Sequence, residues 1–149
     1  MLSYSTLFSR VLNKINDPKE LSLDENDLFA IYTERLHSAI GKPRVRRLFS
    51  SITFDDELQE MQFTLNNPVD EESDEDFVLE VLSLGMTIEW LQPQVDSLSH
   101  IVDIFSTSKE KMVQTPYKNI QSRLADLKKE QNKMIRDYGY LYNSYINGD

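Results

Sequence analysis

The stretch FVLEVLSLGMTIEWL, residues 77–91, decides the fold, because its apolar side chains lie around most of the circumference of a helix. A helix that is apolar on nearly all sides is buried at the centre of a domain. Gly85 within it predicts a point where a neighbouring element approaches closely. The apolar positions are Phe77, Val78, Val81, Leu82, Leu84, Ile88 and Leu91.

Amphipathic helices are predicted before this central segment. Apolar residues recur at helical spacing over residues 4–16, which predicts a short N-terminal helix. Ser22 and Glu25 form a capping-box pattern in front of a second helix over 25–40. Gly41 predicts a left-handed C-terminal cap for that second helix. We therefore expect several helices packed around residues 77–91.

The boundaries of the later helices are predicted from caps and prolines. Ser73 and Asp76 predict the cap of the central helix, and Pro93 predicts the start of a separate helix over 93–106. Thr115 followed by proline predicts the start of a long last helix. This helix either packs back on the domain as a helical hairpin or projects and docks elsewhere. Its heptad seam is Ile120, Leu124, Leu127, Gln131, Met134, Tyr138, Leu141 and Tyr145.

The predicted fold is mainly α: a small helical domain with a short β-hairpin and a long C-terminal helix or arm. The hairpin is one of two interpretations of 44–69, because alternating apolar residues fit a strand while its middle also fits a helix. We divide the chain into an N-terminal helical arm (1–18), a helical core domain (19–108) and a long C-terminal helix with a docking tail (109–149).

Charge is segregated along the sequence. The net charge is −9, yet no Lys or Arg occurs from Leu48 to Ser108, a stretch that holds 14 Asp and Glu residues. The simplest explanation of this pattern is that the charges are solvated on the surface. The alternative is that the basic turn of one copy contacts the acidic face of another copy and so fixes their orientation. The predicted self-association residues are Lys42, Arg44, Arg46, Arg47, Asp70, Glu71, Glu72 and Asp74.

Several classes of function are disfavoured by the residues. The chain has no cysteine and only two histidines, and it contains no phosphate-binding, nucleophile-elbow or zinc-protease motif. We therefore expect a protein that is not an enzyme and needs no metal or cofactor. No apolar run approaches the roughly 20 residues of a membrane span, so no membrane contact is expected. The acidic net charge and the lack of a long basic stripe disfavour binding to double-stranded DNA.

The end of the sequence, RDYGYLYNSYIN (136–147), holds four of the seven tyrosines. Tyrosine offers a large contact area, few rotatable bonds and a hydroxyl group, which suits it to the centre of an interface. We expect this segment to dock on a partner. The predicted docking residues are Arg136, Tyr138, Tyr140, Leu141, Tyr142, Asn143 and Tyr145.

Three runs share positions with a known family: LSLGMTIEWLQPQVDS (83–98), FSTSKEKMVQTPYKNIQSRLADL (105–127) and IRDYGYLYNSYIN (135–147). They resemble small structural proteins that tailed bacteriophages of Gram-positive hosts encode. The matching positions are Trp90, Pro93, Val95, Lys111, Arg136, Asp137, Tyr138, Asn143, Ser144 and Tyr145. The likeness covers about 83–147, and the preceding residues show none.

The resemblance implies a head–tail connector, an adaptor or head completion subunit. Such a subunit forms a ring of about twelve copies between portal and tail. It implies contact with the portal and with tail or neck proteins, transient proximity to DNA in the channel, and a location in the virion neck after assembly in the host cytoplasm. A tail-completion or baseplate subunit would explain the same features. An acidic helical regulator that covers a basic protein surface is the alternative from another class.

Overall fold

The computed structural model describes residues 1–15, 17–104 and 110–138, and within these ranges it describes side chains outside 101–116. The described part is mainly α-helical with a small antiparallel sheet, which confirms the predicted fold class. The elements are β1 (Leu2–Ser3), α1 (Tyr4–Lys14), α2 (Pro18–Leu21), α3 (Glu25–Ile40), α4 (Pro43–Arg46), β2 (Phe49–Asp55), β3 (Glu60–Leu65), α5 (Glu71–Ile104) and α6 (Glu110–Asp137).

Helix α5 is the centre of the fold, as its apolar circumference predicts. Leu82 and Met86 are fully buried, and helices α1, α3 and α6 all pack against α5. Gly85 is the point of close approach. A Cβ atom added there would lie 3.1 Å from the Cβ of Ala39 on α3 and 3.1 Å from Nε2 of Gln131 on α6. The absence of a side chain at this position lets three helices meet.

Helix α5 is longer than its caps predict. Asp70, three residues before the predicted cap, accepts hydrogen bonds from the backbone N–H and the hydroxyl of Ser73, at 2.7 and 2.9 Å. The predicted new helix at Pro93 is wrong, because α5 continues through this residue. A proline removes one helical hydrogen bond. Here the buried side chains of Leu91 and Val95 hold both sides of the proline against the core.

The N-terminal residues are integrated into the core and do not extend from it as the predicted arm would. Leu7 and Val11 on α1 are fully buried, and β1 pairs with β3 through Leu2 and Met61. Arg10 and Lys14 both donate to the carboxylate of Glu80 on α5, at 3.3 and 2.9 Å. An amphipathic stripe thus covers one side of the central helix.

Helix α3 has the predicted bounds, 25–40, but other caps. The hydroxyl of Ser22 donates to the Lys19 carbonyl, so it does not form the predicted capping box. Gly41 has φ −64° and is not left-handed, because the chain turns directly into α4 at Pro43.

The predicted β-hairpin is present. Strands β2 and β3 pair antiparallel, and β1 lies on the other side of β3, so the sheet order is β1-β3-β2. The helical interpretation of the middle of 44–69 is wrong, since Met61 and Leu65 are inward positions of a strand. The polar residues between the strands form the turn of the hairpin.

Helix α6 begins at Glu110, several residues before the predicted start at Thr115. It packs along α5 as a helical hairpin, one of the two arrangements predicted for it. In the described part of the seam, Leu124 and Gln131 are buried, and Ile120, Leu127, Met134 and Tyr138 are packed against the core. Leu141 and Tyr145 lie outside the described residues.

Trp90, a position that carries the family resemblance, joins several of these elements. Its indole N–H donates to the carboxylate of Asp17 at 3.0 Å, and the guanidinium of Arg123 lies 5.6 Å from the indole ring centroid. Arg123 also donates to the Lys14 carbonyl at 2.8 Å. These contacts give Trp90 a structural role at the junction of α1, α2, α5 and α6.

Candidate interaction surfaces

A groove of about 780 Å³ lies between α4, the middle of α5 and α6. Its buried and half-buried lining is mostly apolar, with Val45, Leu48, Ile88 and Ile135 among the lining residues. Its exposed lining is basic and is formed by Lys42, Arg44, Arg47 and Lys128. We call this feature the basic groove. Its composition suits an anionic partner that also carries apolar side chains.

The cations of the basic groove are only partly neutralised. Lys42 pairs with Glu89 at 3.3 Å between Nζ and Oε1. Lys128 donates to the Gln92 amide oxygen at 2.9 Å, and Arg44 donates to the Asn132 amide oxygen. Among the described residues, Arg44, Arg47 and Lys128 form no salt bridge with a carboxylate. The groove therefore keeps net positive charge although the chain is acidic.

A shallower depression of about 470 Å³ continues the basic surface along α6. It shares Lys128 and Asn132 with the basic groove and adds Lys129, Lys133 and Arg136. Arg136, a predicted docking residue, is exposed and bonds to Asp137 at 3.1 Å between Nε and Oδ1. The sequence did not single out Lys128, Lys129 or Lys133, although Lys129 and Lys133 are four residues apart and so lie on one face of a helix.

The predicted basic cluster is divided by the structure. Lys42, Arg44 and Arg47 line the basic groove, whereas Arg46 is exposed outside its lining. The groove is completed by residues 128–135 of α6, which lie more than 80 positions later in the sequence. Local spacing around 41–47 could not indicate that contact.

The predicted acidic cluster is also divided. Asp70 caps α5, and the backbone N–H and then the hydroxyl of Ser73 lower the pKa of its carboxyl group. Asp74 accepts hydrogen bonds from the backbone N–H of Val69 at 3.0 Å and from the Tyr138 hydroxyl at 2.5 Å. Both carboxylates are thus engaged within the chain. Glu71 and Glu72 are exposed.

Tyr138, a predicted docking residue, packs on its own chain. Its ring stacks on Phe77 with centroids 3.8 Å apart and an interplanar angle of 4°. With its hydroxyl group on Asp74, it fixes the end of α6 against the start of α5. The other predicted docking residues, Tyr140, Leu141, Tyr142, Asn143 and Tyr145, lie outside the described residues.

The turn between β2 and β3, residues 55–60, is an exposed acidic feature that the sequence analysis did not select. We call it the hairpin tip. Leu58 lies in the middle of this turn and is 68% exposed, and the residues around it are mainly acidic. The signal that could have found it is a single leucine within DDELQE. Single exposed apolar residues are common on protein surfaces, so Leu58 is a candidate contact residue only together with the charged groups beside it.

Contacts on both sides hold the hairpin tip in place. Asp55 accepts hydrogen bonds from the backbone N–H groups of Glu57 and Leu58, at 3.1 and 3.0 Å. The Gln59 carbonyl accepts from the backbone N–H of Tyr4 at 2.8 Å. Gln59 itself has φ 58°, a left-handed conformation that a side chain disfavours.

Asp56 anchors the tip to α1 and α3. Its carboxylate accepts from the Tyr4 hydroxyl at 2.5 Å and lies 3.1 Å from Nε2 of His37. The bond from Tyr4 and then the one from His37 lower the pKa of Asp56. The pKa of the Tyr4 hydroxyl is raised, mainly by burial and also by its hydrogen bond to Asp56. The hairpin tip is therefore a preorganised protrusion, which reduces the entropy lost when it binds a partner.

The described part of the chain shows neither a metal-binding cluster nor a membrane-spanning helix. Among the described side chains, those of residues 1–15, 17–100 and 117–138, no group of three or more His, Cys, Asp or Glu is placed to hold a metal ion. Among the helices within 1–15, 17–104 and 110–138, none has the length and hydropathy to cross a membrane. Comparison of the chain with protein-family models, curated proteins and solved structures gives no match.

Proposed function

We propose that this chain is a structural assembly subunit that binds copies of itself head to tail. The observation that carries the proposal is the basic groove on a chain of net charge −9, which also has exposed acidic residues outside the groove lining, among them Asp55, Asp56 and Glu57. Two unlike, complementary surfaces on one rigid subunit favour a heterologous contact. Repetition of such a contact produces a closed ring or an open filament.

We further propose that this ring is the adaptor or head completion ring between portal and tail of a tailed bacteriophage. Support comes from the resemblance of 83–147 to phage structural proteins and from the fold, which is mainly α-helical with a long α6 that ends at Asp137. In this proposal residues 139–149, with Tyr140, Tyr142 and Tyr145, contact the portal. Tyr138 contributes by holding the end of α6 against the start of α5.

The direct test is cryo-electron microscopy of the parent virion, with mass spectrometry of the purified particles. We expect this chain among the particle proteins and a ring of its helical subunits at the neck. Absence of the chain from purified particles would overturn the virion assignment. A position at the distal end of the tail would favour the baseplate alternative.

The acidic regulator is distinguished by its stoichiometry. It would form a one-to-one complex with a basic protein, and that complex would weaken steeply as salt is raised, because the contact would be mainly electrostatic. A ring held by a groove with an apolar lining should lose less affinity under the same change of salt. Sedimentation of the chain at low and high salt separates the two functions.

A further inference from the structure

The hairpin tip and the basic groove lie on opposite sides of α3. His37 holds Asp56 of the tip, while Ala39 lines the groove. Residues two positions apart on a helix point about 200° away from each other. One subunit therefore cannot place its own tip in its own groove without unfolding, but a second subunit can supply it.

We propose that the hairpin tip of one copy inserts into the basic groove of the next copy. This inference rests on the proposed self-association and names the two surfaces that perform it. It replaces the acidic start of α5 as the partner of the basic cluster, because Asp70 and Asp74 are engaged within their own chain and, among the described residues, no large apolar side chain is exposed beside Glu71 and Glu72. The tip instead presents the exposed Leu58 beside the exposed carboxylate of Glu57.

The chemistry of the two surfaces is complementary in two respects. Leu58, 68% exposed in the subunit, matches the apolar lining around Val45 and Ile88. Glu57 beside it is exposed and forms no salt bridge within the described part of the chain. In the groove, Arg47 and Lys128 form no salt bridge with a described carboxylate either. Insertion of Leu58 would remove its apolar surface from water, and attraction between Glu57 and the free cations would fix the orientation of the two copies.

The conformation of the tip supports a binding role. A non-glycine residue with positive φ, here Gln59, is kept only when surrounding contacts hold it, and such residues cluster at functional sites. The contacts that hold it are those of Tyr4, Asp55 and Asp56. The exposed Leu58 is thus presented by a turn that is already fixed.

A nucleic acid is a less suitable occupant of the groove than a polypeptide. The groove has an apolar lining, and Glu89 lies among its basic residues, where it would repel phosphate. The net charge of −9 opposes approach to a polyanion as a whole. An acidic polypeptide with an apolar side chain satisfies both parts of the lining, and this chain carries one.

Cysteine cross-linking tests the proposal directly, because the natural chain contains no cysteine. The test variant is Gln59→Cys with Arg46→Cys, which places one thiol beside Leu58 on the tip and one next to the groove lining while Leu58 and Arg47 are kept. The matched control is Leu21→Cys with Arg46→Cys, since Leu21 is also exposed, at 59%. Both full-length variants are treated with a short bismaleimide and separated on a denaturing gel.

We expect a ladder of covalent multimers from the test pair and mainly monomer from the control pair. Two outcomes would overturn the tip-in-groove contact and leave self-association standing. One is a ladder of equal intensity from both pairs. The other is no ladder from the test pair at a concentration where the natural chain sediments as an oligomer. A natural chain that stays monomeric at every concentration, alone and with its portal, would overturn the proposed function as well. The two failures are therefore distinguishable.

A charge exchange gives an independent readout. Glu57→Lys and Arg47→Glu should each prevent association when alone, and an equimolar mixture should restore it, because each variant keeps one natural surface and the reversed residues attract. Glu34→Lys on exposed α3 is the control and should associate like the natural chain. Arg47→Glu that associates normally but loses binding to a short oligonucleotide would overturn the proposal in favour of a nucleic-acid site.

Discussion

The substitution Gly85→Ala tests the packing on which every surface described above depends. The added Cβ would lie 3.1 Å from the Cβ of Ala39 and 3.1 Å from Nε2 of Gln131. Ala39 has no rotatable side chain, so it can yield only if α3 moves. The amide of Gln131 can rotate, but it then loses the bond that it donates to the Val81 carbonyl at 3.0 Å.

The expected magnitude follows from two opposing effects. Alanine in place of glycine inside a helix gains about 1 kcal/mol. Overpacking of a tight core costs about 1–3 kcal/mol, and loss of the Gln131 hydrogen bond adds about 1 kcal/mol. We therefore expect the free energy of unfolding to fall by roughly 1–3 kcal/mol. In a domain of this size such a change lowers the melting temperature by about 2–12 °C.

Urea unfolding followed by circular dichroism measures this change, with Gly41→Ala as the matched control. Gly41 has an ordinary φ of −64°, and a Cβ there would lie 3.4 and 3.5 Å from the carbonyl oxygens of His37 and Ser38. The control should be neutral or slightly stabilising. A Gly85→Ala variant as stable as the control would refute the close approach of α3, α5 and α6.

The remaining predictions concern hydrogen bonds to carboxylates. Tyr138→Phe keeps the stacked ring but removes the donor to Asp74, so urea unfolding should show a loss of about 1 kcal/mol; an unchanged midpoint would contradict the contact. Trp90→Phe removes the indole N–H that donates to Asp17, and this hydrogen bond is the largest cause of the lowered pKa of the Asp17 carboxyl group. An NMR titration should therefore show the pKa of Asp17 rising toward 3.8. An unchanged pKa would contradict the assigned cause. Because the folded pKa of Asp17 is lowered, its stabilising contribution is present above pH 3.8 and is lost as pH falls through the folded value. Asp17→Asn should therefore flatten the acid limb of a stability–pH profile below about 3.8, and an equally steep limb would contradict this reasoning.

Much of the fold is predictable because its strongest signals are local. The helix over 77–91 is apolar around most of its circumference, so it is buried at the centre of the fold. The alternation of Met61, Phe63 and Leu65 matches a strand. The misplaced boundary at Pro93 has a physical reason. Burial of the flanking side chains outweighs the helix-breaking effect of Pro93, and propensity cannot measure that burial.

The candidate surfaces are less predictable because they join residues distant in the sequence. The cluster at 41–47 indicates positive charge, but only the packing of α6 beside α4 makes it a groove with Lys128. Similarly, Asp55 and Asp56 are visible in the sequence as loop carboxylates. Their role in fixing Leu58 depends on Tyr4, more than 50 positions earlier.

Sedimentation velocity of the full-length chain, compared with Leu58→Asp and Leu21→Asp, tests the central claim of self-association through the hairpin tip most directly. Both leucines are exposed, so neither substitution should unfold the subunit. We predict a discrete oligomer for the natural chain and for Leu21→Asp, and a monomer for Leu58→Asp. An oligomer of unchanged size from Leu58→Asp, or a monomer from the natural chain at every concentration, would contradict it.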